Sequence, residues 1–429
     1  MARRARDLAD GTSIIRDGDR SVEGAVGDDG GPVAGAVGDG GVSVGDGGGL
    51  AGGAIGDGDG DESVGGTGAD GGDGRAWWRV GIRPVLAWAL VAPLVLWLVV
   101  RATGLGAGTT IETFIVFTPY AALASVATLA AVAILRVRPA ALAAGVCCAG
   151  YGLVLAPLFV AADGPSPAPT GPALRVMTSN VQFGFADAAT VVDLVEEHDI
   201  EVLGVQELTP GFHGRLVAEG IEDALPYGVI DARDGASGTG LYSRYPVDEV
   251  GSTFTETIPG EHAQPTGLVA VPGAPPVQVT VVHPVPPVLP GGVDSWSATL
   301  RALPRPGGAG AGDPETEAAG YAGADVAAGS ATDSPPDGAP DRMHLLIGDF
   351  NATVDQPTMR ALLRDGYTDA ALARGHGWQP TWRARNIGPM LTIDHVLVDR
   401  WTAVEDVSVH DVPGSDHRAL VAALRLPEA

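Results

Sequence analysis

Leu345-Leu346-Ile347-Gly348-Asp349-Phe350-Asn351 reads as a buried strand that stops at a glycine and is followed by an acid and an amide. The amide stands out. The 429-residue chain holds asparagine only at Asn180, Asn351 and Asn386 and has no lysine, against 63 glycines and 33 prolines. Asn180 closes a similar run, Arg175-Val176-Met177-Thr178-Ser179-Asn180. An amide donates and accepts hydrogen bonds at once, which suits holding an oxyanion or a water at a strand end.

Working outward, the same pattern recurs. Ile200–Gln206 is an apolar run that closes on Glu207, and Val277–Val282 closes on His283. Asp394 and His395 sit near the start of a run that extends through Val398, and Asp416-His417 precedes Ala419–Ala422. Between the run that closes on Asn180 and the run that closes on Glu207, Val191, Val192, Leu194 and Val195 share roughly one face of a helix near Asp187–His198. The alternation of strand and helix over residues 172–427 predicts one α/β domain, large enough for a proper core. A single acid or imidazole at a strand end is ordinarily solvated or structural. Polar residues at so many strand ends of one domain imply a convergent site.

These segments resemble the endonuclease/exonuclease/phosphatase superfamily, in its order: TSNV from Thr178, GVQEL from Gly204, LYSRYP from Leu241, VVHP from Val281, IGDFNA from Ile347, TIDHVLV from Thr392 and GSDHRAL from Gly414. The resemblance implies a four-layer α/β sandwich, two mixed β-sheets packed face to face with helices outside. It also implies a divalent-metal-dependent phosphoesterase. By that resemblance Glu207 is the principal ligand for Mg2+ or Mn2+, with Asn180 close by and Asp416 joining directly or through water. Asp349 and Asn351 would position the attacking water and the phosphate. His417, oriented by Asp394, would act as base or as a phosphate-stabilising imidazole, and His283 would contact the phosphate or assist the leaving group. His395 adjoins Asp394 on a strand, so it should face the other way and is read as structural. Nucleic acid, phospholipid and small phosphodiesters all stay open as substrates. A non-catalytic domain that binds a partner on the same scaffold is the alternative, and the oligomeric state is open.

Charge narrows this. Residues 164–429 carry 35 acids against 15 arginines, a net −20, which argues against tight non-specific binding to nucleic acid. A local patch at Arg383 and Arg385 is the exception. Cys147 and Cys148 are adjacent in an apolar segment and form neither a disulfide framework nor a zinc site.

Ahead of this domain stand three apolar runs, Pro84–Val100, Thr113–Leu135 and Pro139–Ala162. A hydrocarbon layer needs roughly 20 residues of helix, so residues 75–162 predict three transmembrane helices, with the bilayer as partner through 82–162. Trp77 and Trp78 suit the interface. Arg75, Arg79 and Arg83 precede the first run, and Arg136 and Arg138 separate the second from the third. The positive-inside rule then predicts a multi-pass cell-membrane protein with a cytoplasmic amino terminus and an extracellular catalytic domain. Residues 1–74, rich in Gly and Asp at net −10, predict a disordered tail. Residues 163–171, with Pro165, Pro167 and Pro169, predict an extended linker, and residues 304–341 a disordered insertion.

Overall fold

The structure, a computed structural model, describes residues 81–165, 168–252, 262–306, 340–383 and 390–429. The expected tail, the Trp77-Trp78 pair, Arg75, Arg79, most of the 304–341 insertion, Arg385 and Asn386 lie outside the described residues.

The domain core is two six-stranded mixed sheets. The first is built from β1 (Ala173–Asn180), β2 (Val202–Gln206), β3 (Tyr227–Asp231), β4 (Thr239–Ser243), β13 (Ala403–Asp411) and β14 (Arg418–Arg425), in the order β13-β14-β1-β2-β4-β3. The second is built from β5 (Val247–Ser252), β6 (Pro265–Val269), β7 (Val277–Val282), β8 (Met343–Asp349), β9 (Tyr367–Asp369) and β12 (Asp394–Asp399), in the order β5-β6-β7-β8-β12-β9, and β10 (Trp382–Arg383) pairs with β11 (Met390–Leu391) in a separate ribbon. Side chains on a strand alternate between faces, and each central strand divides its apolar residues accordingly. Leu174 and Val176 of β1 meet Val279, Val281, Leu345 and Ile347 in the core between the sheets. Met177, Leu203 and Val205 face outward, under α5 (Ala188–Glu197) and α6 (Pro210–Ala218). Leu346 and Leu397 face outward on the other side, under α8 (Gly292–Ala302) and the helix Pro357–Arg364. The result is the expected four-layer sandwich.

Two glycines let the layers close. Gly204 faces the opposite sheet, where a Cβ would sit 2.9 Å from Ile347 Cδ1. Gly348 has φ +150° and lies against β7, where a Cβ would overlap the Val282 carbonyl oxygen. Only glycine can hold that close parallel pairing and let Asp349 end the strand.

Before the sandwich come three helices long and apolar enough to cross a membrane: α1 (Ile82–Thr103), α3 (Thr118–Leu135) and α4 (Arg138–Leu155), the last continued by a 3-10 turn to Leu158. Ile82, Leu96, Ile134, Leu142 and Leu153 are exposed on their outer faces, unlike the side chains of a soluble bundle. The second run is not one helix. It splits into the short α2 (Thr110–Ile115) and α3, with Pro119 in the first turn of α3. Proline has no N–H to continue the preceding helix and is at home in a first turn.

The short link between α1 and α3 is clamped to the sandwich. Arg101 Nε pairs with Asp355 Oδ1 at 2.8 Å, and both side chains are largely buried. Glu112, in α2, is buried and accepts from the backbone N–H groups of Gly108 and Thr358. Tyr120 Oη both donates to Met390 O and accepts from Met390 N.

Gly348→Ala should lower the unfolding free energy by about 2–5 kcal/mol, from backbone strain plus overpacking. Gly214, in a helix with nothing near its Cα side, is the control: Gly214→Ala should be neutral or stabilise by about 0.5–1 kcal/mol. Denaturant melts of the detergent-solubilised chain measure both, and equal midpoints for Gly348→Ala and the unsubstituted chain would contradict this packing.

Candidate active site

One end of the sandwich collects the polar strand ends, because register forces it. β1 and β2 run parallel, pairing Asn180 with Gln206, so Asn180 and Glu207 emerge together. β7 and β8 run parallel, pairing Val282 with Gly348, so His283 and Asp349 emerge together. β12 runs antiparallel to β8 and sets Asp394 directly opposite Asp349. The turn before β14 brings Asp416 and His417 back to the same edge, where Ser415 Oγ donates to the Asn180 carbonyl.

The backbone is bent to aim these groups. Gln182, Phe183, Glu207 and Asn351 all have φ between 46° and 58°. Non-glycine residues seldom adopt this left-handed region, and strain of this kind gathers at functional sites. At Glu207 the bend lets Phe183 N–H donate to Oε2 at 2.7 Å. At Asn351 it lets the backbone N–H reach back to Asp349 Oδ1 at 2.8 Å while the side-chain amide donates to Pro284 O at 3.1 Å.

Asn180 is fully buried, and its side-chain nitrogen donates to Glu207 Oε1 at 3.2 Å and to Asp349 Oδ2 at 3.0 Å. Its amide oxygen accepts from Gln182 N at 2.9 Å. The nitrogen faces the two acids because only a donor suits that position. His417 Nδ1 lies 2.9 Å from Asp394 Oδ2, which assigns the proton to Nδ1 and turns Nε2 toward Asp349 Oδ2, 3.7 Å away. His283 Nε2 approaches the same oxygen to 3.8 Å and Glu207 Oε1 to 4.0 Å. The eight residues anticipated from sequence therefore meet at one end of the fold.

Electrostatics follow from burying this much charge. Burial pushes Glu207 up, against the hydrogen bonds from Asn180 and Phe183. Burial likewise pushes Asp349 up to about 7, against the pull of His417. His283 falls well below the usual imidazole range, through burial and the neighbouring His262 and His417. His417 goes the other way. Burial alone would lower it, but Asp394, Asp349 and Asp416 outweigh that and hold it up at about 10.

The donor set suits a hard divalent cation. Glu207, Asp349, Asn351, Asp416 and His417 form the polar floor of a cavity of about 1080 Å³, and among the described residues no arginine lines it. Asp394 Oδ1 is buried without a hydrogen-bond partner. Crowded carboxylates with so few neutralising donors fit oxygen coordination of Mg2+ or a similar ion. Oxygen or nitrogen atoms of Asp349, Asp394 and His417 also lie within 4.8 Å of one another. Asp394 is committed to His417, however, whereas Glu207 and Asp416 face the cavity.

Other residues of the site escaped sequence reasoning. Trp382 Nε1 donates to Asp416 Oδ2 at 3.0 Å, and Thr381 Oγ1 accepts from Asp394 N at 3.1 Å. His262 Nδ1 lies 3.1 Å from His283 Nδ1. None of the three closes an apolar run, so strand-end logic had no hold on them. A tryptophan is scarce here, 8 in the chain, and its nearness to Arg383 in sequence was the available hint. His395 is structural as expected: Nδ1 pairs with Asp369 at 2.7 Å and Nε2 meets Ala352 O at 2.8 Å, away from the cavity. Arg383 borders a smaller groove of about 310 Å³ beside Asp416 and His417.

The sequence profile described as Endonuclease/Exonuclease/phosphatase family matches residues 177–417. Similar solved structures include an endonuclease/exonuclease/phosphatase from Beutenbergia cavernae DSM 12333, 19% identical with a TM-score of 0.41, covering 59% of this chain and 72% of that one. The 3'-5' exonuclease NExo from Neisseria meningitidis is 19% identical with a TM-score of 0.39, covering 58% and 98%. Sphingomyelinase C from Streptomyces griseocarneus is 16% identical with a TM-score of 0.38, covering 59% and 99%. Likenesses this distant carry no inference about substrate. No curated protein matches the chain.

Asp394→Asn should move the His417 imidazole pKa down by about 1–3 pH units, because removing the facing negative charge disfavours the imidazolium. Titration of ring-labelled histidine by NMR in detergent micelles reads this directly. An unchanged titration would mean that the Asp394 pair does not govern His417.

Proposed function

This chain belongs to the endonuclease/exonuclease/phosphatase family, and on that premise we propose that it is a membrane-anchored hydrolase of phosphoester bonds that uses a divalent cation, Mg2+ or Mn2+. The observation that carries the reading is the convergence of His283 and His417, from different sheets, on one oxygen of Asp349.

Glu207 and Asp416 would hold the ion, with Asn180 and Phe183 N–H locking the Glu207 carboxylate in place. When bound, the cation supplies charge neutralisation to the phosphoester oxygens. The residues do the rest. Asp349, oriented by donors from Asn180 and Asn351, is placed to take a proton from an attacking water. His417, fixed by Asp394, presents Nε2–H or Nε2 to the phosphate according to its protonation, and its charged form stabilises the added negative charge. His283, held in its rotamer by His262, presents Nε2 from the other side, where it can serve the phosphate or the departing oxygen.

Orientation is read from charge. Arg136 and Arg138 occupy the α3–α4 turn, and Arg83 the start of α1. Arg101, at the other end of α1, stands alone against those three. The positive-inside rule then keeps the α3–α4 turn in the cytoplasm and puts the sandwich outside, at the cell membrane.

The full chain in detergent should hydrolyse bis(p-nitrophenyl) phosphate with Mg2+ and not with EDTA. His417→Ala should lower kcat by about 10²–10⁴-fold. Glu207→Gln should abolish calorimetric Mg2+ binding with the circular dichroism spectrum unchanged. Turnover that survives chelation, or an undiminished rate in His417→Ala, would overturn the reading.

A further inference from the structure

The cavity above the site has walls of two origins. One comes from the sandwich. The other is the link between the first two spanning helices, which contributes Thr110, Thr113, Phe114 and Phe117. This link joins two membrane-crossing helices at the end nearer the sandwich, so it lies where the chain leaves the hydrocarbon. The Arg101–Asp355 and Glu112–Thr358 contacts, together with Tyr120 on Met390, pin it there. The cavity is therefore walled in part by the segment that joins two long apolar helices.

The walls are apolar and the floor is polar. Phe114 is 55% exposed, and Val288 and Leu289, in the loop that follows His283, are 74% and 51% exposed. Phe183 adds a fourth apolar group on the β1 side. Large apolar side chains left in water beside a catalytic floor call for an apolar ligand. A nucleic acid would need cationic groups along its backbone track, and the charged groups of the described lining are acids and His417.

We propose that the substrate is a phospholipid of the membrane that anchors the chain. Its phosphodiester sits on the Glu207, Asp349 and His417 floor, and its acyl chains run along Phe114, Phe117, Val288 and Leu289 toward the bilayer. The proposal rests on the phosphoester-hydrolase reading and names its substrate class. Hydrolysis consumes one water: its oxygen bonds to phosphorus, the P–O bond to the leaving alcohol breaks, and that alcohol takes a proton. Because the mouth is clamped to the anchor, the lipid need not leave the membrane to reach the site.

The test reconstitutes the full chain with Mg2+ in vesicles of phosphatidylcholine and phosphatidylglycerol and follows the released phosphate esters by phosphorus-31 NMR. Soluble bis(p-nitrophenyl) phosphate and a DNA oligonucleotide are parallel substrates. Phospholipid hydrolysis is expected, and Phe114→Ser and Leu289→Ser should each lower kcat/KM on lipid by about tenfold or more, the loss of one buried apolar side chain. Both variants should keep the calorimetric Mg2+ affinity of the unsubstituted chain within about twofold, since neither side chain belongs to the acids that would hold the ion. Cleavage of the soluble diester or of DNA with both phospholipids intact would overturn the lipid assignment alone. So would undiminished lipid hydrolysis in both variants. Loss of metal-dependent cleavage on every substrate would overturn the hydrolase reading, and the lipid assignment with it.

Discussion

Asn180 ties the two sheets together where they would otherwise repel. Glu207 belongs to the first sheet and Asp349 to the second, and each is pushed toward protonation by burial. A single amide group, donating to both at 3.2 and 3.0 Å, holds them side by side. Burying like charges is costly unless donors or a cation compensate. The left-handed backbone at Phe183 and Asn351 supplies further N–H donors to this pair of acids. These donors compensate the two buried acids in part, so the strain in the backbone and the charge of the floor have one origin.

The apolar helices ahead of the sandwich are part of the same architecture. Arg101 and Glu112 are charged residues at the ends of apolar helices, where solvent would ordinarily claim them. Here each is buried against the loop and helix around Asp355 and Thr358. Burial without a partner would cost several kcal/mol, so these contacts hold the link between α1 and α3 against the sandwich. That placement makes the segment between two long apolar helices a wall of the candidate site's cavity.

Much of the sandwich was legible because its central strands are buried on both faces. β1, β2, β7 and β8 read as largely apolar runs that end at or just before a polar residue of the site, and β12 begins at one, Asp394. The edge strands were not legible. β3, β5 and β13 alternate with exposed polar residues such as Asp248, Glu249 and Asp406, and nothing in their composition separates them from loops. Helix α8 begins at Gly292 with no capping side chain to mark its start in the sequence, and Gly292 N–H donates to Leu289 O of the preceding loop. The split of the second apolar run at Pro119 was visible as a proline, but hydropathy averages across it.

Residue chemistry alone determined the class of the domain, the residues at its strand ends and the apolar helices before it. Those depend on local patterns: period-two burial, an amide or an acid after an apolar run, and helix length against bilayer thickness. Sequence could not determine that Asn180 would face two acids, that Trp382 would hold Asp416, or that Phe114 of the anchor would stand over His417's cavity. These juxtapositions join residues as much as 303 positions apart, Phe114 and His417. Only the register of paired strands and the clamp at Arg101 bring them together, and both are set by packing and pairing across the whole fold rather than by any local stretch of chain.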